Sequence, residues 1–476
     1  MHVCIIGTGA SGWIACTMLK NLDFIRKITI IGSSKIPSIG VGESTTLNFV
    51  TSVLSNVELK DFVREADATV KYGVYYKNWS KKNFIHYFPH RTEETWEDRV
   101  LLGNKDPDIH IHDLRANKLW NFIQENQVSL DYESYNHSWH FDAGKFINFL
   151  KKINLKDDKV NFIDDTIIDC KLVEDKVEYI VGEYNCKYQA DYFVNCCGDS
   201  QLNERVFKEE YVSLSPYLLT NKAIVYPLKF TNKRDQSHPY TVAKTMKCGW
   251  RWITPTQSRI GTGYVFSENH ISVDEAINEF LEDIGDKTIE PFQVNFNPKY
   301  NKKTFKTNSC TIGMSNGFLE PLDAPGLSLS IDALKILISF LKIKNKDKDY
   351  FSTFKVLNNN LCFAQKLWCS FILHQYKTCW RDDTQFWIDH KNVESDFYNM
   401  ITNITIRKYS LDENLYDKLH EKAQNPNINL DCPSMIFVTA AKDIQWDVKM
   451  KQKPTPIPQP DTETIHHLDY IQRFYD

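Results

Sequence analysis

Glycine is sparse in this chain, 18 residues in 476, and among them there is a single G-x-G-x-x-G. Cysteine reaches 12 residues, yet no Cys-x-x-Cys and no Cys/His cluster at zinc spacing occurs. That excludes a zinc module and a disulfide framework and leaves reduced thiols, the usage of the cytoplasm. The adjacent Cys196 and Cys197 read as strand residues rather than a redox pair. A basic excess is missing too: 57 Lys and Arg against 61 Asp and Glu give a net charge of -4, so neither nucleic acid nor an anionic membrane is an expected partner. Long apolar runs are also lacking. The most apolar helical stretch, Leu327 to Leu341, carries Asp332 and Lys335 and reads as a core helix rather than a membrane span. The opening Met1 to Gly7 reads as a strand and leaves no place for a secretion signal. No internal repeat and no metal site are expected.

What is present is an ordinary balance of 42% hydrophobic and 25% charged residues, at a length that suits two to three domains or one elaborated domain. Aromatic residues make up 13%, with 11 Trp, 23 Tyr and 28 Phe, enough to line a site for a flat ligand as well as a core. His2 to Ile6 reads as a strand, Ala10 to Leu22 as a helix and Lys27 to Ile31 as a second strand, a βαβ unit. Its turn, Gly7-Thr8-Gly9-Ala10-Ser11-Gly12, suits a dinucleotide. Gly7 makes the tight turn, Gly9 admits the pyrophosphate, Gly12 allows close packing, and Ala10 and Ser11 open the helix whose N-terminus faces the phosphates.

Where a ribose-binding acid normally ends the second strand, the chain has Gly32-Ser33-Ser34. Ser33 or Ser34 remains to bond the ribose, so a loosely held, exchangeable flavin is expected, and Gly32→Glu should tighten it. With one dinucleotide loop there is no obvious nicotinamide domain, so electrons are expected to arrive as reduced flavin. Ala190 to Asn195 reads as a late strand of the parallel sheet. The part after Gly326 reads as mostly helical. We therefore expect a core over 1–330 and a mainly helical substrate-covering module over 331–476. Pro454, Pro456, Pro458 and Pro460 make 453–461 an extended strap, and an amphipathic piece follows from Thr462 to Tyr475.

Trp250-Arg251-Trp252-Ile253-Thr254-Pro255 resembles the W-x-W-x-I-P signature of flavin-dependent halogenases, with Thr254 in place of the usual Ile. Alone it would pass for an aromatic core strand. It keeps company with Ile39-Gly40-Val41-Gly42-Glu43-Ser44, Trp139-His140-Phe141-Asp142-Ala143, Gly261-Thr262-Gly263-Tyr264-Val265-Phe266-Ser267, Phe318-Leu319-Glu320-Pro321-Leu322-Asp323-Ala324-Pro325-Gly326 and Arg381-Asp382-Asp383-Thr384-Gln385-Phe386-Trp387. These stand in the order of the tryptophan halogenases from residue 3 to about 390, and beyond about 400 little resemblance remains.

The resemblance implies an α/β fold like that of flavin monooxygenases, with FAD on the βαβ unit, mixed sheets and a helical substrate module. It implies that reduced FAD, O2 and a halide ion give hypohalous acid, which passes through a tunnel to an aromatic substrate, with Trp250 and Trp252 as the barrier between the two compartments. A separate NAD(P)H-dependent flavin reductase would be the partner, and the oligomeric state stays open, a homo-oligomer included. Val41, Gly42 and Glu43, with Gly317 and Leu322, would contact the flavin.

Lys71 matches the catalytic lysine. Its surroundings, Val70-Lys71-Tyr72-Gly73-Val74-Tyr75-Tyr76, are apolar and aromatic, and a buried ammonium there must be paired or functional. Lys77 is its rival and reads as a surface residue. Asp323 falls where the family carries a Glu that aligns the electrophile and takes the ring proton; its bland role is to cap the helix that begins near Pro325. His86 and Phe88 match the two rings that sandwich the substrate, and otherwise read as strand residues at period two. No counterpart of the family's tryptophan-closing segment is seen in Asn425 to Trp446, which suggests an open site for phenols, indoles or anilines.

Pro325 and Gly326 match the halide-binding stretch. Proline offers no N–H, so chloride, the halide most in need of replacement hydrogen bonds, should suffer most, and iodide or bromide is expected to be preferred. The rival readings are an FAD monooxygenase that hydroxylates its substrate and a non-catalytic flavin-binding protein.

Overall fold

The structure is a computed structural model and describes residues 1–36, 43–81, 83–88, 122–130, 136–198, 200–344, 351–400 and 463–475. It divides into two compact units, each drawn from three stretches of chain: Met1–Ala68, Phe141–Ser215 and Phe296–Lys366 form the first, and Thr69–His140, Pro216–Asn295 and Leu367–Asp476 the second. The expected linear division at 330 is therefore not where the chain parts. The helix after Asp323 belongs with the dinucleotide unit because its first turns are tied there: Asn48 Nδ2 donates to Ser328 O at 2.9 Å and to Asp332 Oδ1 at 3.1 Å. The strap at 453–461 lies outside the described residues.

In the first unit, strand β1 (His2–Ile6), helix α1 (Ala10–Leu19) and strand β2 (Lys27–Gly32) form the expected βαβ unit. Strands β3 (Val160–Asp164), β4 (Tyr192–Asn195) and β5 (Ser309–Thr311) complete a five-stranded sheet in the order β5-β4-β1-β2-β3, with every pairing parallel. Val3, Ile5, Ile28, Ile30 and Ile31 have no exposed surface, the continuous apolar reading of strands covered on both faces. Helix α1 is buried almost all round, from Gly12 to Leu19. Gly7 needs its left-handed φ of 105°, and a Cβ there would lie 2.7 Å from Cys196 O. Cys196 and Cys197 sit just past the end of β4 rather than within it. Helix α2 (Leu47–Ser52) holds Asn48, and helix α3 (Pro325–Lys344) begins at Pro325, the position where a missing N–H costs a helix nothing.

The second unit is built on a seven-stranded sheet that runs Phe292–Asn295, Lys222–Leu228, Ile260–Phe266, Gly249–Pro255, Thr241–Met246, Gly73–Lys77, Phe84–Tyr87. All its pairings are antiparallel except that between Thr241–Met246 and Gly73–Lys77. Helix Val273–Ile284 starts at a capping box, in which Ser272 and Glu275 satisfy each other's backbone N–H, and lays Ala276 and Phe280 on Ile224, Tyr264 and Phe266. Helix Gln385–Asn392 contributes Phe386, Trp387 and His390 to an aromatic cluster with Tyr376 and Trp79. Among the described residues no helix is long and apolar enough to cross a membrane.

Candidate functional site

The dinucleotide loop closes on itself in the first unit. A Cβ on Gly12 would fall 2.0 Å from Gly7 O, whereas one on Gly9 would meet nothing within 4 Å. The loop is thus packed tightly where strand meets helix and open where a pyrophosphate would lie, beside the N-terminus of α1. Two further segments converge on it. The Cβ position of Gly313 lies 2.4 Å from Ser11 Oγ and 3.9 Å from Ser330 Oγ, which brings the turn Gly313–Ser315 and α3 to the loop. Gly317 follows in the same stretch, with a φ of 138°. Leu322 has no exposed surface. Val41 and Gly42 lie outside the described residues, as does the side chain of Glu43.

Asp323 and Ala324 both adopt left-handed backbone, with φ of 61° and 60°. The turn is closed by Ala324 N–H donating to Pro321 O at 3.0 Å, and Asp323 is 8% exposed. Pro325 is buried, and Gly326 is exposed with open space at its Cβ position. The N-terminus of α3 therefore offers the Gly326 amide and the positive end of a 20-residue helix to an anion, while position 325 has no donor.

The ribose end differs from its sequence reading. A Cβ on Gly32 would lie 2.3 Å from Thr8 Oγ1, so the chain has no room for a side chain there. A carboxylate nevertheless stands next door, because Asp164 closes β3 in register with Gly32. Its Oδ1 accepts from Ser34 N–H at 2.8 Å, and this bond, with a second from the Ser34 side chain, holds the carboxyl below its ordinary value. Sequence reasoning missed Asp164, although an acid at the carboxyl end of a parallel strand was a usable sign.

In the second unit Lys71 ends the strand Thr69–Lys71, which pairs with Ser138–Phe141. The lysine is 1% exposed, and its Nζ lies 5.2 Å from the centre of the Phe88 ring. Lys77, the rival, is exposed. Phe88 N–H donates to Tyr72 O at 3.0 Å, which carries the ladder one residue past Tyr87. His86 pairs with Val74 and packs on Phe371, ring centres 5.6 Å apart. Burial and then the Lys71 ammonium hold the nearby His140 well below its ordinary pKa, so that imidazole is neutral.

Trp250 and Trp252 are buried side by side, ring centres 6.4 Å apart and tilted by 60°. Gly263 makes room for Trp252: a Cβ there would fall 2.2 Å from the indole and 2.4 Å from Ile224 O. Between them along the strand Arg251 turns to the other face of the sheet, where Nη1 meets Asp283 Oδ2 at 2.7 Å and Lys244 meets the same carboxylate. Burial alone would raise the Asp283 carboxyl; its bonds to the two cations overcome this and hold it low.

Residues 2–415 match the family described as tryptophan halogenase. The chain is 26% identical over 440 residues to tryptophan 7-halogenase RebH of Lentzea aerocolonigenes, covering 82% of this chain and 79% of the relative. With tryptophan 6-halogenase ThaL of Streptomyces albogriseolus it shares 25% over 424 residues, again 82% and 79% of the two chains. Among solved structures, BrvH, a flavin-dependent halogenase from Brevundimonas sp. BAL3, resembles it in fold with a TM-score of 0.75 at 21% identity, covering 99% of each chain.

Proposed function

The chain belongs to the tryptophan halogenase family and is a flavin-dependent halogenase, an oxidoreductase; on that premise we propose that it halogenates small electron-rich aromatic compounds through Lys71. The observation that carries this reading is the burial of Lys71 against the Phe88 ring. Burial keeps bulk water from the ammonium and so strengthens a hydrogen bond that it donates. Here it donates a hydrogen bond to hypohalous acid and so sharpens the electrophilicity of the halogen. The ring then attacks the halogen, the oxygen–halogen bond breaks, and the departing hydroxide takes a proton from Lys71 and leaves as water; the ring loses its own proton, for which Asp323 is the proposed acceptor. His86 and Phe88 hold the substrate by its flat faces.

Bound reduced FAD supplies the electrons that turn halide, O2 and a proton into hypohalous acid and water, leaving oxidised FAD. Gly7, Gly9, Ala10, Ser11 and Gly12 hold its pyrophosphate, Ser33 and Asp164 its ribose, and Val41, Gly42, Glu43, Gly317 and Leu322 its remaining parts. Trp250 and Trp252 bar organic substrates from the flavin, so that halide alone is oxidised. A separate NAD(P)H-dependent reductase delivers the reduced flavin, and the compartment is the cytoplasm, in keeping with the free thiols of the described cysteines.

Iodide and bromide are the proposed halides in preference to chloride, since the first turn of α3 lacks the donor that Pro325 removes. The test is a mass-spectrometric screen of phenols, indoles and anilines with reduced FAD from an unrelated reductase and each halide in turn. Halogenated product is expected, and Lys71→Ala should lose it while still oxidising the flavin. A hydroxylated product formed without halide would make the protein a monooxygenase instead, and a clear preference for chloride would overturn the halide reading.

A further inference from the structure

His467 lies 396 positions beyond Lys71 in the chain, yet its imidazole is fully buried against the strand that carries the lysine. Nε2 accepts the Val70 N–H at 2.9 Å, and Nδ1 faces Ser237 O at 3.0 Å. A carbonyl can only accept, so Nδ1 carries the proton and Nε2 keeps the lone pair that Val70 needs. The strand Thr69–Lys71 is the edge of its sheet, and the Val70 amide points to the imidazole instead of into the ladder.

The backbone on the other side of Lys71 is held equally firmly. Tyr72 N–H donates to Pro239 O at 2.8 Å, and Tyr72 O accepts from Phe88 N–H at 3.0 Å. Ser237 and Pro239 thus serve both sides, one through His467 and one directly. The terminal segment is itself clamped. Thr464–His466 pairs antiparallel with Gln127–Ser129, His467 N–H donates to Asn126 O at 2.8 Å, and Ser129 N–H donates back to the Tyr72 hydroxyl at 3.1 Å.

We propose that His467 is a positioning residue for the halogenation step: it fixes the backbone of Lys71 from the C-terminal segment, which is therefore a working part of the active site. The proposal rests on Lys71 as the group that handles the electrophile. An ammonium that must meet both a small oxidant and a ring carbon tolerates little displacement, and a shift of about 1 Å costs up to roughly a hundredfold in rate.

The test compares wild type, His467→Phe, His467→Gln and Lys71→Ala as full-length protein with reduced FAD, bromide and an aromatic substrate that the wild type brominates. Two quantities are read, flavin oxidation and brominated product per flavin oxidised. Phe keeps the ring and loses the acceptor, whereas the Gln carbonyl restores an acceptor at the position of Nε2. His467→Phe should oxidise flavin at the wild-type rate while product per flavin falls by about tenfold or more, and His467→Gln should recover most of it. Should His467→Phe fail to fold, His467→Asn takes its place, because it keeps a donor for Ser237 and loses the acceptor for Val70. Normal coupling in the acceptor-free variant, or equal losses in it and in His467→Gln, overturns the proposal. If Lys71→Ala itself couples normally, it is the role of the lysine that fails. If Lys71→Ala uncouples and the histidine variants do not, it is the role of His467.

Discussion

Acid should weaken the second unit well above the pH at which ordinary carboxylates titrate. His390 and His467 have no exposed surface, and burial holds them at about 3 and about 4. Each accepts a backbone N–H at Nε2, His390 from Leu219 at 3.3 Å and His467 from Val70 at 2.9 Å, so protonation would turn an acceptor into a second donor facing a donor. Both folded values lie below the roughly 6.5 of an unfolded chain. The unfolded state therefore takes up protons first, and the stability these residues contribute is complete above pH 6.5 and declines as pH falls towards their folded values. At pH 5 the loss is about 2 kcal/mol for each, or about 4 kcal/mol for the pair, a large part of the roughly 5–15 kcal/mol typical of a folded domain. His140 and His238 add to it in the same direction. Glu279, raised by burial, runs the other way. Urea unfolding followed by tryptophan fluorescence at pH 7.5, 6 and 5 reads the sum, and the same series on His390→Gln isolates one residue. Wild-type stability should fall with uptake of at least two protons on unfolding between pH 6 and 5. The gap between wild type and variant should narrow by about 2 kcal/mol over the series. Flat wild-type stability from pH 7.5 to 5, or a constant gap, refutes the reasoning.

The remaining predictions concern packing and cofactor. Gly263→Ala should displace Trp252, because the new Cβ also meets the backbone oxygen of Ile224; the cost is roughly 1–3 kcal/mol, visible as a lower Tm and an altered tryptophan emission. Asp164→Asn should weaken FAD by roughly tenfold in calorimetry, the usual scale of a hydrogen bond to a charged group, and leave riboflavin affinity unchanged, since riboflavin has no adenosine ribose. Equal losses for both ligands would remove Asp164 from the ribose site. Gly32→Glu alone should weaken FAD binding because Thr8 occupies its space; with Thr8→Ala the carboxylate gains room and affinity should rise.

The dinucleotide unit was legible because its signals are local: an apolar strand, a Gly-rich turn and a helix, all within 32 residues. Ala190 to Asn195 was also readable as a parallel strand, and it pairs directly with β1. Lys71 was set apart from Lys77 by the family resemblance together with its apolar, aromatic neighbours, and in the structure Lys71 is buried while Lys77 is exposed. Asp164 and His467 escaped because their meaning is tertiary. An acid 132 positions beyond Gly32 becomes its neighbour only through strand pairing, and nothing in Thr462 to Tyr475 announces that one of two adjacent histidines turns inward to a strand near the other end of the chain. The missing acid at Gly32 was noticed, but the cause, a threonine in its space, belongs to packing and not to pattern.

The turn from Asp323 to Gly326 shows how the two kinds of information meet. Read as sequence, it is a short acidic cap followed by a proline that starts a helix, and the start at Pro325 is what the structure has. Two successive non-glycine residues in left-handed backbone are a different matter: Ala324 costs about 1–2 kcal/mol relative to ordinary conformations, and Asp323, whose short polar side chain tolerates this region, costs less. Glycine at 323 or 324 would remove that cost. The chain keeps Asp323 and Ala324 instead, holds them with the bond from Ala324 to Pro321 and the fully buried Leu322, and places glycine only at the exposed 326. Strain of this kind persists where surrounding structure imposes it, and it gathers where a side chain must be presented in one direction. A cap needs no such geometry, because Asp caps helices from ordinary extended backbone. The left-handed pair is in keeping with the proposed presentation of the Asp323 carboxylate at the start of helix α3.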